Sequence, residues 1–325
     1  MIKYLVRRLL YAIPVLLGVN LITFILFFSV NSPDDMARAY LGQKYITQAT
    51  IEQWKKSHGY DLPMFYNSEV SGIAKLKETL FFKKSLSLFA FDFGQSDSGR
   101  NIGDDIRHRM FPSLAIAIPS LLLGLFLNMM VALLLVFFRN TYIETTGVIL
   151  CIVLMSISGL FYIIFGQFFV AKLWRLVPIS GYLSGIDGLK FLILPVLVAI
   201  FSGLGMGARW YRSLFLEEIF KDYVRTARAK GMTEHMILLK HVLRNALIPI
   251  LTGVVVLIPS LFLGSLLLES FFGVPGLGSY TIDAINQQDF AIVRAMIFLG
   301  SLLYILGLVL TDFSYTLVDP RVRLE

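Results

Sequence analysis

The chain has 325 residues, of which 56% are hydrophobic and 16% are charged, and its mean hydropathy is +0.72. Because soluble domains carry about 25% charged residues, this composition excludes an ordinary soluble domain and predicts an all-α polytopic membrane protein. The formal net charge of +7 does not indicate a nucleic-acid partner, since the basic residues lie beside apolar runs, where they set membrane topology.

Six apolar runs are long enough to cross a bilayer core of about 30 Å, which needs about 20 helical residues. In chain order they are Leu9–Val30, Ser113–Phe138, Thr145–Ala171, Phe191–Ala208, Asn245–Leu268 and Ile292–Leu317. The sixth run carries Arg294 near its start and Asp312 near its end, and we expect both side chains to reach the membrane interface or to pair with a neighbouring helix. No carboxylate or lysine is predicted at mid-membrane depth, which argues against a proton- or ion-coupled carrier.

Lysine and arginine are concentrated in loops that share one side of the predicted membrane. This asymmetry places both termini and the loop 209–244 in the cytoplasm. We therefore expect residues 1–30 to form the N-terminal cytoplasmic end and the first span, and residues 31–112 to form an external loop or cap. Residues 113–325 would form a five-span core that contains the cytoplasmic loop.

Cysteine and histidine usage excludes two kinds of site. With one cysteine, Cys151, the chain cannot form an internal disulfide. None of the histidines has a spacing typical of metal ligands; they are His58, His108, His235 and His241. The sequence therefore predicts no metal site.

Residues 222–249, DYVRTARAKGMTEHMILLKHVLRNALIP, form a basic, amphipathic stretch between two apolar runs. We expect Asp222 to cap a helix that runs to Lys230, with the carboxylate at the positive end of the helix dipole. Gly231 would stop this helix in a left-handed conformation, and Thr233 would begin a second helix. The pattern predicts a short, rigid, basic feature at the cytoplasmic surface.

The side chains of these two helices predict what each helix packs against. Ala227, Arg228 and Gly231 share a face of the first helix, where small residues would let another protein approach closely. The second helix repeats apolar residues at spacings of three and four, which suits packing on the membrane helices: Met236, Leu239, Leu243 and Leu247. Basic interfacial helices also serve simply as anchors on anionic lipid, so the residues alone allow both a docking surface and a lipid anchor.

Polar residues inside the predicted spans are the candidates for lining a transport path. They are Asn128, Ser156, Thr252 and Ser260. For each one taken alone, a hydrogen bond between membrane helices is the better explanation.

The external sequence PGLGSY predicts a turn built from Pro275, Gly276 and Gly278. It lacks the Lys-Ser/Thr pair that holds phosphate and magnesium in a Walker A loop. We therefore predict no nucleotide site and no catalytic residues in this chain.

Five stretches resemble the permeases of ATP-binding-cassette (ABC) importers, specifically the dipeptide and oligopeptide branch. DYVRTARAKG followed by HVLRNALIP is similar to their cytoplasmic loop, in which the wider family has Glu-Ala-Ala, three residues and Gly; here Arg225, Thr226 and Ala227 take the places of the triplet. YLVRRLLYAIPVLLGVNLITF resembles the first span of the branch, and FDFGQS with IRHRMFPSLAIA its entry to the second. ESFFGVPGLGSYTIDAINQQDF and DFSYTLVDPRVR resemble its last outer segment and its C-terminus.

The resemblance implies a type I ABC importer permease fold and a subunit that forms a substrate path with a second, related permease. Two cytoplasmic ATPase subunits would bind ATP and magnesium and dock on this chain, which itself would bind no cofactor. An external solute-binding protein would deliver the cargo to the bacterial inner membrane. The residues that would meet an ATPase are Asp222, Tyr223, Arg225, Thr226, Ala227, Arg228, Lys230 and Gly231.

The substrate is the least determined part of this interpretation. Di- and oligopeptides are expected from the resemblance, while nickel or a metal chelate is the rival, because importers of both kinds share the permease architecture. A secondary transporter, or a scaffold anchored on lipid, is the alternative outside this class. The lack of intramembrane charge and of inverted hydropathy symmetry disfavours it.

Overall fold

Helices make up almost all of the regular structure in the computed structural model, which describes residues 2–41 and 47–318. Within this described part, the only β pairing is an isolated antiparallel bridge between Gln95 and Asn101. The end of the C-terminal motif, residues 319–323, lies outside it. The predicted all-α class is confirmed.

Fifteen α-helices are assigned in the described residues. They are α1 (Ile2–Val30), α2 (Pro33–Leu41), α3 (Gln48–His58), α4 (Ala74–Lys77), α5 (Leu80–Lys84), α6 (Ile102–Phe137), α7 (Tyr142–Ser156), α8 (Gly159–Phe165), α9 (Leu189–Ile219), α10 (Asp222–Ala229), α11 (Glu234–Ile237), α12 (Leu243–Leu261), α13 (Leu266–Phe272), α14 (Leu277–Asn286) and α15 (Phe290–Val318). Short 3₁₀ segments occur at Leu86–Ala90 and Ile186–Gly188, and π-helical turns follow α8 at Gly166–Leu173 and α11 at Leu238–Val242.

Five stretches of the described chain are long and apolar enough to cross a membrane. Four of them lie on α1, α6, α9 and α15, and the fifth is Glu234–Leu261, which joins α11 to α12. Helices α7 and α8 are long and apolar enough only when taken together, and they meet at an angle of 90°. Five of the six predicted spans are therefore confirmed, and the third corresponds to a bent helix pair that forms either a broken span or a re-entrant loop.

The break in the third span lies at Ile157 and Ser158, where the backbone is extended with ψ of 128° and 147°. The apolar run Thr145–Ala171 continues through this point, so hydropathy predicted one uninterrupted helix. Across the break, the Tyr162 hydroxyl donates a hydrogen bond to the Leu154 carbonyl at 2.8 Å. The same carbonyl accepts the Ile157 N–H at 3.3 Å, so the Tyr162 hydroxyl is its second donor and ties α8 to the end of α7.

The second span begins earlier than its apolar run. Helix α6 starts at Ile102, whereas the sequence predicted Ser113. The Asn101 side chain accepts a hydrogen bond from the Asp104 backbone N–H at 3.2 Å and thereby caps the helix. Polar turns therefore precede the apolar ones on a single helix, and the predicted segment boundary at residue 112 falls inside α6.

The fifth span ends before its apolar run does. Helix α12 stops at Leu261, and the chain turns at Gly264, whose φ of 70° is left-handed. Helix α13 then starts after Ser265, whose hydroxyl accepts from the Leu268 N–H at 3.4 Å. The last residues of the run Asn245–Leu268 therefore belong to a second, separate helix.

One compact unit combines the described residues up to Arg109 with Tyr280–Val309. In it, the segment between α1 and α6 packs on α1 through a buried cluster of Phe24, Phe28, Met36, Ala37, Ile51, Trp54, Tyr60 and Leu80. A polar contact adds to this packing, because the Asn20 side-chain amide donates to the Ser85 carbonyl at 2.8 Å. The segment is thus folded onto the first span.

The second compact unit contains Met110–Ser279 and holds α7 to α13. Helices α7 and α9 lie very close together, since a Cβ atom added at Gly205 would stand 2.3 Å from the Cys151 carbonyl oxygen. A buried cluster joins α6, α9, α10, α11 and α12, and it includes Val136, Phe215, Val224, Ile237 and Ile250. This cluster positions the basic segment described next.

Candidate functional site

The basic helix pair, which we define as α10 and α11 with their connection, begins one residue away from the predicted cap. Lys221 has the extended backbone of a capping residue, but its side chain makes no capping bond, and Asp222 is the first residue of α10. The expected capping role of Asp222 is therefore wrong. Its carboxylate lies 3.5 Å from the Arg225 guanidinium and still faces the positive end of the helix dipole.

Gly231 ends α10 as predicted, with a left-handed φ of 78°. Its N–H donates to the Arg228 carbonyl at 2.9 Å, and the Met232 N–H donates to the Ala227 carbonyl at 3.3 Å. These bonds satisfy two of the carbonyls at the helix end. No neighbouring atom lies within 4 Å of the place that a Gly231 Cβ would take, so the glycine is needed for its backbone conformation and not for space.

Glu234, in the first turn of α11, ties the basic helix pair together. The Arg228 Nε donates to one of its carboxylate oxygens at 2.7 Å, and the Arg139 Nη1 lies 3.4 Å from the other. Arg139 follows the end of α6. The carboxylate therefore links α10, α11 and the second span through two charge-assisted bonds.

Tyr223 fastens the start of α10 to the end of α9. Its hydroxyl donates a hydrogen bond to the Glu218 carboxylate. Burial, followed by this contact with Glu218, raises the pKa of Tyr223 to about 12. The phenol therefore stays protonated, and remains a donor, throughout the physiological pH range.

The buried face of α10 differs from the prediction. Val224 is 0% exposed and Ala227 5% exposed, and both pack into the cluster with Val136 and Phe215. The expectation that Ala227 presents a small surface to another protein is therefore wrong. Its short side chain instead lets α10 lie close against the chain's own helices.

The buried stripe of the second helix is also shifted. Met236 and Leu239, which we expected to pack, are 49% and 45% exposed. Leu243 is partly buried and packs on the cluster, as expected. The buried residues are Ile237, Leu238, Val242, Ala246 and Ile250. Their four-residue spacing follows the π-helical turn Leu238–Val242, which changes the register relative to a regular α-helix.

The surface that Lys221, α10 and the residues up to Gly231 leave uncovered is polar and mainly positive. Its exposed residues are Lys221, Asp222, Arg225, Thr226, Ala229, Lys230 and Gly231. Arg228 is half-buried and engaged with Glu234. A rigid frame thus carries three cations and one carboxylate on its open side.

The predicted external turn is part of a buried, hydrogen-bonded cluster around Glu269, which we call the Glu269 cluster. The sequence analysis missed this residue. Glu269 is 1% exposed, and its carboxylate accepts from the backbone N–H groups of Ser265, Gly278 and Ser279 at 3.1, 2.7 and 3.1 Å. Burial raises its pKa, whereas the bond from the Ser113 hydroxyl and the backbone bonds act in the opposite direction. The signal available in the sequence was an acid placed shortly before the start of a helix.

The glycines of the Glu269 cluster allow close approach of the backbone to neighbouring groups. A Cβ added at Gly276 would stand 2.3 Å from a Glu269 carboxylate oxygen, and one at Gly278 would stand 2.6 Å from the Ser265 carbonyl carbon. Gly278 lies in the first turn of α14, so the turn predicted from Pro275, Gly276 and Gly278 is shorter than expected.

Ser260, one of the four path candidates, lines a cavity. The cavity has a volume of about 300 Å³ and is bordered by α6, α9 and α12, with Ser113, Ser120 and Glu269 also on its wall. The Ser260 hydroxyl donates to the Leu257 carbonyl at 2.7 Å. This leaves both of its lone pairs available to the cavity.

The other three path candidates bond within their own helices. The Asn128 amide donates to the Gly124 carbonyl at 2.7 Å, Thr252 to Ile248 at 3.0 Å and Ser156 to Ile152 at 2.8 Å. Asn128 also touches the backbone of Gly207, where an added Cβ would stand 2.6 Å from its side-chain oxygen. Within the described part of the chain, these three side chains therefore do not make the hydrogen bonds between helices that we expected.

Comparison with known proteins identifies the family. Residues 105–324 match the family model described as "Binding-protein-dependent transport system inner membrane component", and residues 1–86 match the model of its N-terminal part. The chain belongs to this binding-protein-dependent permease family. The N-terminal match includes residues 68–86, which lie in none of the five stretches that carry the resemblance.

Relatives of this permease cover its whole length. It is 30% identical over 330 residues to the glutathione transport system permease protein GsiC of Escherichia coli (strain K12), with 99% of each chain covered. It is 28% identical over 330 residues to the dipeptide transport system permease protein DppB of Bacillus subtilis (strain 168), covering 100% of this chain and 99% of that one. The permease is therefore a membrane-embedded transport subunit of an ABC importer and not an enzyme, and it works with other ABC components.

Proposed function

We propose that this chain is one of two permease subunits of an ATP-driven importer for short peptides in a bacterial inner membrane. The observation that carries the proposal is the full-length similarity to two permeases whose names refer to glutathione and to dipeptides. Glutathione is itself a tripeptide, so both cargoes are small peptides. A second permease subunit would complete the substrate path.

The orientation follows from charge. With both termini and the basic helix pair in the cytoplasm, the cation-rich loops lie inside, as the positive-inside rule requires. The segment between α1 and α6 then faces the outside, as does the Glu269 cluster. An external solute-binding protein delivers cargo on this side. We assign the cavity that Ser120 and Ser260 line to the path.

The basic helix pair transmits movement from the ATPase subunits. Two ATPase subunits bind ATP and magnesium, and one of them docks on the open face of α10. Because Val224 and Ile237 share one buried cluster with α6 and α9, a displacement of α10 moves these spans with it. The Glu234 link to Arg228 and Arg139 prevents α10 from rotating independently. Coupling requires that the docked contacts differ between the ATP-bound and nucleotide-free states.

The docking contact is tested by reversing a charge on the open face. Arg225 is 73% exposed in its side chain and makes one weak surface ion pair, so Arg225→Glu should leave the fold intact. We expect ATPase association to weaken by about tenfold or more, because opposite charges at an interface become like charges. Lys190→Glu, the same charge change at another exposed position, is the matched control. Equal ATPase co-purification with both variants would identify a lipid anchor instead.

The substrate is tested by deleting the gene in its host. Uptake of labelled glutathione and of labelled dipeptides should be lost, and a plasmid copy of the gene should restore it. Intact peptide uptake with lost nickel uptake would instead support a metal-chelate importer, which shares the permease architecture.

A further inference from the structure

A polar cavity of about 230 Å³ lies in the compact unit that contains the segment between α1 and α6. Its wall includes three cations, Lys83, Lys84 and Arg294, and one acid, Asp92. The Asp92 carboxylate already accepts the Gly94 N–H at 3.1 Å, within its own turn. The wall therefore carries an excess of two positive charges, three cations against one carboxylate.

Arg294 is the unusual member of this group. It is 6% exposed, and its Nη1 is buried without a hydrogen-bond partner among the described residues. The guanidinium lies 5.6 Å from the centre of the Phe28 ring, and its Nε makes a long bond of 3.4 Å to the Phe290 carbonyl. Burying a charged group without full hydrogen bonding is costly, and buried charges are normally paired, so an anion bound beside Arg294 would relieve this cost.

Lys84 is held in place beside the same cavity. Its Nζ donates to the His58 carbonyl at 2.7 Å and lies 4.8 Å from the centre of the Tyr60 ring. These contacts use one of the three ammonium donors and fix the position of the others. No ion pair joins Lys84 or Arg294 to a carboxylate within the described parts of the chain.

Two further acids lie near the cations but outside the cavity wall. Asp289 accepts the N–H groups of Asp97 and Ile292, at 2.9 and 3.2 Å, so both of its oxygens are engaged. Asp97 interacts electrostatically with Lys84 and Arg294. These acids reduce the positive electrostatic potential of the cavity wall, yet neither accepts a hydrogen bond from the Arg294 Nη1.

We propose that this cavity binds the C-terminal carboxylate of a short peptide through Arg294 and Lys84, with Lys83 at its rim. A guanidinium and an ammonium fixed on one cavity wall suit a carboxylate, and Gln95 on the same wall can bond a peptide amide. At about 30 Å³ for each water, the cavity has the volume of roughly eight waters, which is room for a small terminal residue. The choice of a peptide rests on the function proposed above.

The test uses the full chain assembled with its partner subunits in nanodiscs, without the external binding protein. Titrations compare glycylglycine with its C-terminal amide, glycylglycinamide. We expect the acid to bind about tenfold more tightly than the amide, as a charge-assisted pair would provide, with binding measurable below about 10 mM. Equal binding of acid and amide, no binding of the acid, or a preference for inorganic phosphate would overturn the proposal.

Variants locate the binding. Arg294→Gln should abolish the preference for the acid, and Arg294→Lys should retain part of it. Lys83 is exposed, so Lys83→Gln keeps the fold and should reduce the preference about two- to threefold even if Arg294→Gln proves unstable. Lys77→Gln, an equal loss of charge at an exposed position away from the cavity, should change nothing. A full preference in Lys83→Gln and Arg294→Gln alike would place the carboxylate elsewhere.

Peptide uptake separates this proposal from the proposed function. If gene deletion abolishes peptide uptake but acid and amide bind the complex equally, the cavity assignment is wrong while the peptide importer stands. If deletion leaves peptide uptake intact, the function itself is wrong.

Discussion

Two alanines in α10 occupy opposite environments and provide a matched pair. Ala227 is buried in the cluster that joins α10 to the spans, whereas Ala229 is exposed at the end of the same helix. Ala227→Glu would bury an unpaired carboxylate, and we expect it to destabilise the protein by about 3 kcal/mol or more. Ala229→Glu should leave stability unchanged and reduce ATPase co-purification. Thermal unfolding and co-purification of both variants measure the difference.

The opposite result would be informative. If Ala227→Glu were as stable as the parent protein, α10 would not be packed on the spans, and movement could not pass through this cluster. If Ala229→Glu kept full ATPase binding, the end of α10 would lie outside the docking surface.

Gly231 offers a test of backbone conformation without a steric effect. A β-branched residue is strained at its φ of 78°, so Gly231→Val should cost about 1 kcal/mol or more, whereas Gly231→Asn should be better tolerated. Because the space around Gly231 is open, the difference between the variants reports the backbone alone. Melting temperatures and transport rates should fall for valine and stay near the parent value for asparagine; equal loss in both would indicate a contact surface at the glycine.

Asp97 should make stability depend on pH. Burial, with the nearby Asp289 carboxylate, raises its pKa from 3.8 to about 6. A carboxyl whose pKa is higher in the folded protein binds more protons there than in the unfolded chain, so the free energy of unfolding falls as pH rises from about 4 to 6. Asp97→Asn should remove this loss and stabilise the protein at pH 7 by about 1 to 2 kcal/mol, allowing for partial exposure.

The measurement is thermal unfolding of the detergent-purified protein at pH 4 and pH 7. The gain should appear at pH 7 and vanish at pH 4. Asp187→Asn, which removes an exposed carboxylate, serves as the control and should show no such gain. A gain of equal size at both pH values would assign the effect to packing and not to charge.

At the level of the elements, the Glu269 cluster, which joins α13 to α14, depends on one carboxylate. Three backbone N–H groups converge on Glu269, and an amide has a single acceptor oxygen to offer them. Glu269→Gln should therefore leave a buried donor unsatisfied and destabilise the protein by about 1 to 3 kcal/mol. Glu217→Gln, at a side chain that is 69% exposed, is the control. Equal thermal unfolding of the two variants would contradict a structural role for Glu269.

The spans were predictable because hydropathy measures what a bilayer requires of a helix. Their interruptions were not, because Ile157 and Ser158 lie inside an apolar run and their extended backbone leaves no trace in hydropathy. The left-handed stop at Gly231 was predictable, since glycine favours that conformation. The buried stripe was not, because the π-helical turn after α11 changes the register on which periodicity depends.

The position of the basic helix pair was predictable, but the buried and exposed faces of its helices were not. Charge pattern and family resemblance both pointed to residues 222–231, yet they could not tell which side of α10 was covered. Ala227 has a small side chain that suits a partner surface and a tight internal contact equally well, and only packing distinguishes them. Glu269 was missed because its partners are backbone N–H groups, which carry no residue-type signature.

For the molecule as a whole, we expect ATP turnover to depend on partners. The chain has no Walker A sequence, so the purified polypeptide should hydrolyse no ATP. Magnesium-dependent phosphate release should appear once the second permease and the ATPase subunits are added. Turnover by the polypeptide alone, after removal of any co-purified ATPase, would contradict a pure transport role.

The bond between Asn20 and Ser85 has a consequence for biosynthesis. Asn20 lies in the middle of the candidate span Leu10–Val30, and the carbonyl that satisfies its amide is 65 residues further along the chain. At roughly 5 to 20 residues per second, a ribosome needs about three to thirteen seconds to reach Ser85. During that interval the first helix sits in the membrane with a polar group unsatisfied, at a cost of several kcal/mol unless water or the insertion machinery shields it. The segment that follows therefore stabilises the first span in the membrane once it has been made and has folded back onto α1.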